Sequence, residues 1–248
     1  FYGKNAADPS ASTNTIEYIT IGTLSDGVDF GDSNDGIFQH NTATSNGALD
    51  RAVSGGGMRE TGASLNIMEY VTVSSPSNAT DFGNLYQVSR QFSATCNSSN
   101  DRGVFGGGYI GSSTTDVLQY ITVSSTGDAS DFGNATTQMQ DNPATSNGTN
   151  ERGIWMGGNR YVLPDPGPPW GITNTIDYIT INSASNATDF GDLTQAVAHS
   201  SACSNQTNER GIRSGGYVHP VSPNVTTVID YVTINSPSTA SSFGDLTA

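Results

Sequence analysis

Ile176-Asp177-Tyr178-Ile179-Thr180-Ile181, a polar loop, and then Asp189-Phe190-Gly191-Asp192-Leu193 form the stretch whose reading decides the fold. The first six residues alternate and are rich in β-branched and aromatic side chains, the composition of a strand. The loop at 182–188 is small and polar and suits a turn. Phe190 opens a second short strand. The same string recurs at 16–21, 68–73, 118–123 and 229–234, followed in turn by Phe-Gly pairs that start at Phe30, Phe82, Phe132 and Phe243. Within the string, Ile176, Tyr178 and Thr180 face one way, and Asp177, Ile179 and Ile181 the other. Both faces carry bulk, as in a sheet sandwiched between two neighbours.

Working outward, an Arg-Gly-x-x-x-Gly-Gly segment precedes the string at 102–108, 152–158 and 210–216, with a weaker version at 51–57 and only its tail at 1–3. Before each arginine lies a small polar segment, at 42–45, 93–96, 143–146 and 201–204, joined to it by a turn containing Asn and an acid. One repeat therefore reads as four short strands: a (small and polar), b (Arg-Gly), c (Tyr-Ile-Thr) and d (Asp-Phe-Gly). The arginines at 51, 102, 152 and 210 set a period of 50 to 58 residues. A self-similar four-stranded unit of that length is the signature of a propeller blade. The expected fold is all-β: one β-propeller domain over 1–248 with five four-stranded blades at about 1–36, 37–88, 89–138, 139–196 and 197–248. Strand a occurs four times and the others five. The first blade is thus incomplete, and its open inner edge is expected to be filled by residues beyond 1–248 or by a strand from another molecule. Nothing repeats at helical spacing.

The Gly-Gly pair ending strand b, the tyrosine of strand c and the aromatic opening strand d resemble the kelch family. Kelch repeats usually place tryptophan where this chain has phenylalanine. The resemblance spans the whole chain and implies a kelch-type propeller, a fold that serves binding modules, structural proteins and a copper oxidase. The wording Tyr-Ile-Thr-Ile, Asp-Phe-Gly-Asp-Leu and Arg-Gly-Val-Phe-Gly-Gly is also similar to repeats in structural and tail-fibre proteins of marine tailed phages.

Net charge is -14, and Lys4 is the single lysine. Such a surface repels phosphate backbones and anionic lipid, which argues against nucleic-acid and membrane partners. No apolar run approaches the roughly 18 residues that span a bilayer, and no signal peptide is visible. Cys96 and Cys203 fall at nearly equivalent places in non-neighbouring repeats, so two small buried thiols are expected rather than a disulfide.

The candidate chemistry is sparse. Asp189-Phe190-Gly191 matches a kinase triplet by letter alone, with no phosphate loop or strand lysine beside it. The pairs Asp50-Arg51, Asp101-Arg102, Glu151-Arg152 and Glu209-Arg210 read as ties between a turn and the neighbouring blade. Asp29/Asp32 and Asp189/Asp192 read as turn caps rather than Ca²⁺ ligands. His40, His199 and His219 are scattered in sequence, without the spacing of a zinc or copper site, and no Gly-x-Ser-x-Gly elbow is present. No metal or cofactor is expected. Asn-x-Ser/Thr sequons at Asn78, Asn97, Asn134, Asn147, Asn186, Asn205 and Asn224 offer glycosylation positions.

The b–c and d–a loops share one face. The longest, 159–172, carries four prolines with Tyr161 and Trp170, and the next contains Tyr217 and His219. Prolines lower the entropy cost of ordering a loop on binding, and the rings offer stacking surfaces. Tyr161, Trp170, Tyr217 and His219 are therefore the candidate ligand-binding residues, for a carbohydrate or a protein surface. The expected function is a non-enzymatic binding or structural module, extracellular or on a virion surface, with self-assembly or neighbouring structural subunits among its partners. The alternatives are a secreted carbohydrate-active or oxidase-type enzyme on the same fold, and a subunit of an extracellular filament.

Overall fold

A computed structural model describes residues 3–4, 12–34, 39–59, 61–160, 171–219 and 224–247. Repeat 1 contributes β1 (Gly3–Lys4), β2 (Ser12–Thr13), β3 (Thr15–Tyr18) and β4 (Val28–Asp32), paired β1-β2 and β3-β4. Repeat 2 contains β5 (Thr42–Ser45), β6 (Arg51–Gly55), β7 (Ile67–Thr72) and β8 (Thr80–Asn84). Repeat 3 contains β9 (Ser93–Cys96), β10 (Arg102–Gly106), β11 (Thr115–Thr122) and β12 (Ser130–Met139). Repeat 4 contains β13 (Ala144–Ser146), β14 (Arg152–Gly158), β15 (Thr173–Thr180) and β16 (Thr188–Asp192). Repeat 5 contains β17 (Ser201–Ser204), β18 (Arg210–Ser214), β19 (Val228–Thr233) and β20 (Ser241–Asp245). The architecture is all-β, and each of repeats 2 to 5 is one antiparallel sheet in the order a-b-c-d.

Strand d is not a plain strand. In repeat 4, Ile176 pairs with Gly191 but Asp177 with Asp189, so Phe190 is the extra residue of a β-bulge, and the same shift recurs in every repeat. The Asp side chain ahead of the bulge accepts the N–H of the glycine after it in repeats 1, 3 and 4, at 3.0–3.2 Å. Asp29 and Asp189 are thus turn caps, the role their spacing suggested. The bulge turns phenylalanine onto the face of its sheet-mate tyrosine. Edge-to-face pairs result at 5.9–6.1 Å in all five repeats, from Tyr18–Phe30 to Tyr231–Phe243. The repeat arginine lies over the tyrosine, at 4.4 Å for Arg102, Arg152 and Arg210.

The core lies between sheets. Tyr178, Ile176 and Phe190 of repeat 4 meet Val232, Ile234 and Ala240 of repeat 5. Repeats 3 and 4 meet in the same way through Phe132 and Ile181, repeats 2 and 3 through Phe82 and Val123, and repeats 1 and 2 through Phe30 and Ala79. Repeats 2 to 5 therefore each have a forward face of Tyr, Phe and Arg, and the backward faces carry two aliphatics with an acid in repeats 1, 2, 4 and 5 and Gln119 in repeat 3. Burying one such Phe or Ile side chain stabilises by roughly 1.5–3 kcal/mol. Close Cα approach between successive sheets concentrates at the inner strands β5, β9, β13 and β17, so the sheets converge on the strand-a side and fan apart toward strand d.

The backward-face acids of repeats 2, 4 and 5 are received by the previous repeat. Asp177 accepts from the Thr136 backbone at 3.0 Å and its hydroxyl at 2.5 Å. Burial dominates these bonds and raises its pKa above the usual aspartate value. Asp230 accepts from Thr194 at 2.6 Å, and Glu69 accepts from Ser33 at 2.6 Å.

Candidate binding face

Antiparallel order puts the a–b turns and c–d loops on one face and the b–c and d–a loops on the other. The a–b turns are single 3-10 turns at 47–49, 98–100, 148–150 and 206–208. Each ends on an acid in the left-handed region, Asp50, Asp101, Glu151 or Glu209, at φ 69–71°. Asp101, Glu151 and Glu209 are ties between repeats, as the pairing with arginine suggested, whereas Asp50 accepts from Ser74 of its own repeat at 2.9 Å. Asn46, Asn97 and Asn147 donate at 2.9 Å to Asp101, Glu151 and Glu209 of the next repeat. The partner arginines 51, 102 and 152 reach forward to the carbonyls of Val123, Ile181 and Ile234 at 3.0–3.3 Å. This geometry takes two sequons out of reach, because Asn97 and Asn147 are fully buried. Ser45, Cys96, Thr149 and Thr207, from four repeats, line one shared concavity on this face.

The opposite face carries the more varied chemistry. Immediately before strand a, His40, Gln91, Asp141 and His199 occupy the same turn position in repeats 2 to 5, all left-handed at φ 52–59°. Their backbones form a ladder: Gln91 N–H donates to His40 O at 3.0 Å, Asp141 to Gln91 at 2.8 Å and His199 to Asp141 at 2.8 Å. The side chains converge on Asp141. Its carboxylate accepts from Gln91 Nε2 at 3.2 Å, Gln140 Nε2 at 3.1 Å and Asn159 Nδ2 at 3.3 Å, and lies 3.4 Å from His199 Nδ1. Asn159 also lies 3.4 Å from His199 Nε2. In the tautomer that accepts there, the Nδ1 proton faces Asp141. His40 feels the cluster electrostatically. Desolvation lowers its pKa, the charges of Arg90 and His199 lower it further, and Asp141 opposes them.

Of the residues singled out in the sequence, Tyr217 joins this cluster, its ring edge-on to His199 at 6.4 Å. His219 is half-buried, with Nδ1 unpartnered among the described residues. Tyr161 and Trp170 lie outside the described residues. Sequence spacing missed His40, Gln91, Asp141 and His199, because four different residue types share one register and nothing in their letters repeats. The usable signal was position, two or three residues ahead of each strand a. The histidines that read as scattered are thus, for His40 and His199, repeat equivalents gathered by the fold.

The cysteine expectation needs correction. Both thiols are free, but Cys96 is half-buried and Cys203 exposed. They sit one residue apart in register, Cys203 opposite Ile212 and Cys96 opposite Gly103. With a strand period of two they point to opposite faces. Cys203 therefore falls on the uncovered forward face of repeat 5.

A second cavity, of about 140 Å³, lies between repeats 1 and 2 and is lined mostly by Ile16, Ala43, Ala52, Tyr70, Val71 and Ala79. Among the described residues, no three His, Cys, Asp or Glu side chains converge as a metal site, and no helix is long and apolar enough to cross a membrane. No protein-family model matches this chain, and no curated protein matches it.

Proposed function

We propose that the five repeats are consecutive blades of a kelch-type β-propeller, and that the chain is a non-enzymatic binding module exposed outside a cell or on a virion. The fanning of the sheets from their inner strands supports the propeller reading, as does the concavity shared by four repeats. The ligand class is a carbohydrate, bound on the face of the d–a and b–c loops. One observation carries this: Asp141 gathered with Gln91, Asn159 and His199, beside the Tyr217 ring. A carboxylate acceptor flanked by amide donors suits vicinal hydroxyls, and the adjacent ring suits the apolar face of a sugar. In sequence, Tyr161 and Trp170 follow closely on Asn159, and His219 lies two residues beyond Tyr217. The acidic surface and the similarity to phage fibre repeats support the extracellular or virion setting.

Titration calorimetry against a panel of neutral and acidic oligosaccharides tests the reading. We expect at least one binder, weakened about tenfold or more in Asp141→Ala, Tyr217→Ala and Trp170→Ala. Sugar oxidation or hydrolysis would favour the enzymatic alternative. No binding across the panel would reject the carbohydrate assignment.

A further inference from the structure

Most of the arginines are consumed by the scaffold. Arg51, Arg102, Arg152 and Arg210 lie over tyrosines at 4.2–4.4 Å, and Arg213 is buried against Asp230. The remaining arginines, Arg59, Arg90 and Arg160, all stand on the face of the b–c and d–a loops, together with His40, His199 and His219. The acids known on this face are Asp141 and, at the start of β11, Asp116. The opposite face is acidic. Asp26 and Asp128 sit in its c–d loops, and Asp29, Asp81, Asp131 and Asp189 open strand d beside them, all exposed. Among the described residues, the free cationic charge of an acidic chain is thus gathered on one face.

Three of these side chains meet between repeats 2 and 3. Arg90 Nη1 donates to Met58 Sδ and, at 2.9 Å, to Gly62 O, and the guanidinium lies 4.9 Å over the Tyr109 ring. Gly62 N–H in turn donates to Arg59 O at 2.9 Å, so Arg90 is clasped by the turn that carries the exposed Arg59. His40 is close enough to feel the Arg90 charge, which lowers its pKa after the larger effect of desolvation. Arg90 Nε is buried without a partner, and Nη2 has none among the described residues. Nε and Nη2 form one edge of the guanidinium, the edge that meets a carboxylate or sulfate with two parallel hydrogen bonds. The fold therefore fixes this group from one side and leaves its anion-binding edge unmatched. A donor without an acceptor is costly, and a bound anion supplies the acceptor.

The Asp141 cluster lies one register step away. Gln91, the residue after Arg90, donates its N–H to His40 O at 3.0 Å and its Nε2 to Asp141 at 3.2 Å. A sugar on this face thus meets two points of opposite character. Hydroxyls suit the carboxylate of Asp141, and an anionic group suits Arg90. Asp141 repels an anion from its own end, which sets the direction in which such a ligand lies.

We infer that the carbohydrate bound on this face is acidic, a uronate or sulfated sugar, its anionic group gripped by Arg90 and Arg59 between repeats 2 and 3 and its hydroxyls directed to Asp141. The inference rests on the carbohydrate reading of this face and adds the charge and the orientation of the ligand. With net charge -14 on the chain, no general attraction draws an anion to it, so such binding reports on these side chains.

Calorimetry at about 0.15 M NaCl tests this. The probes are oligogalacturonate, oligomannuronate and a sulfated oligogalactan, each beside its neutral parent, with oligoglutamate as an anion that is not a sugar. At least one acidic sugar should bind about tenfold or more tighter than its parent, and Arg59→Gln and Arg90→Gln should each weaken it about tenfold while leaving the parent unchanged. Asp141→Ala should weaken both. Thr126→Asp, exposed in a c–d loop of the opposite face, lowers the net charge by the same unit and should change neither. Arg59 is exposed, so its variant keeps the test valid should loss of Arg90 loosen the turn at Gly62. A neutral parent that binds as tightly as its acidic counterpart, acidic binding that survives both arginine variants, or an equal loss in Thr126→Asp would overturn this inference and leave the carbohydrate reading standing. Binding of oligoglutamate with no sugar bound would reject the carbohydrate reading itself, and the inference with it. Silence from every acidic probe overturns the inference whether or not neutral sugars bind.

Discussion

The fully buried ion pair of repeat 5 gives a sharp test of how the interfaces are held. At the cross-strand pair midway along strands b and c, repeat 2 has Ser54 opposite Glu69, repeat 3 Phe105 opposite Gln119, repeat 4 Trp155 opposite Asp177 and repeat 5 Arg213 opposite Asp230. Arg213 is 0% exposed and Asp230 1%. The guanidinium donates to Asp230 and, at 2.8 Å, to the Gly215 carbonyl. Replacing Arg213 by Phe leaves Asp230 with the Thr194 hydroxyl as its remaining side-chain donor. An uncompensated buried charge costs about 3–5 kcal/mol. The double variant Arg213→Phe/Asp230→Gln instead installs the pair that repeat 3 already uses. With charge and partner removed together, it should match wild type within about 1–2 kcal/mol or exceed it, as buried pairs replaced by packed neutral groups often do.

In a repeat stack the loss falls on the affected unit and its neighbour. The assay is therefore hydrogen exchange over β18 and β19 alongside urea unfolding. The single variant should lose protection in repeat 5 before repeats 2 to 4 respond, and the double should recover it. If Arg213→Phe is as stable as wild type, Asp230 is not a desolvated charge and the reasoning fails. If the double falls as far as the single, shape rather than charge pairing holds this interface.

Two further outcomes follow from named contacts. Gly133→Ala and Gly244→Ala share the cost of a positive-φ backbone, about 1–3 kcal/mol, but only at Gly133 would the Cβ strike loop backbone, at 2.6 Å. Chemical unfolding should show Gly133→Ala as clearly the more damaging, and equal losses would mean the loop yields. For His40, whose folded pKa is lowered, the folded state binds fewer protons than the unfolded chain near pH 6.5. Stability should therefore fall as pH drops from above 6.5 through the lowered value, and His40→Gln, the residue repeat 3 carries at this turn, should flatten that slope in melting curves taken between pH 5 and 8.

The repeat was legible because its determinants are local. Alternation in Ile176–Ile181, the Gly-Gly pairs and the Asn-acid turns each specify a strand or its end without help from distant residues. The bulge at Phe190 was not legible, because alternation assigns a face by counting, and one extra residue resets the count. Nor were the end faces. Ile21 and Ile181 are the same residue in the same string, and only the presence of a neighbouring sheet makes one bare and the other buried. For the same reason Cys203 read as buried: its register-mates Thr95 and Thr145 are buried against a following repeat.

The binding face was harder still, and the cause is physical. The parts that recur, Arg over Tyr, Tyr against Phe, and Asn to the next acid, are the parts that hold one sheet on another. A side chain freed from that task is free to differ. The d–a turn meets this condition, since its ladder is made by backbone N–H and carbonyl groups and constrains the side chains at 40, 91, 141 and 199 little. An invariant backbone thus displays two imidazoles, an amide and a carboxylate in fixed register. A motif search looks for recurring letters and so finds the scaffold. In a stack of near-identical repeats, the residues able to confer a particular ligand preference are those at equivalent positions whose letters disagree, and Asp141 with its neighbours is where such disagreement gathers around a single carboxylate.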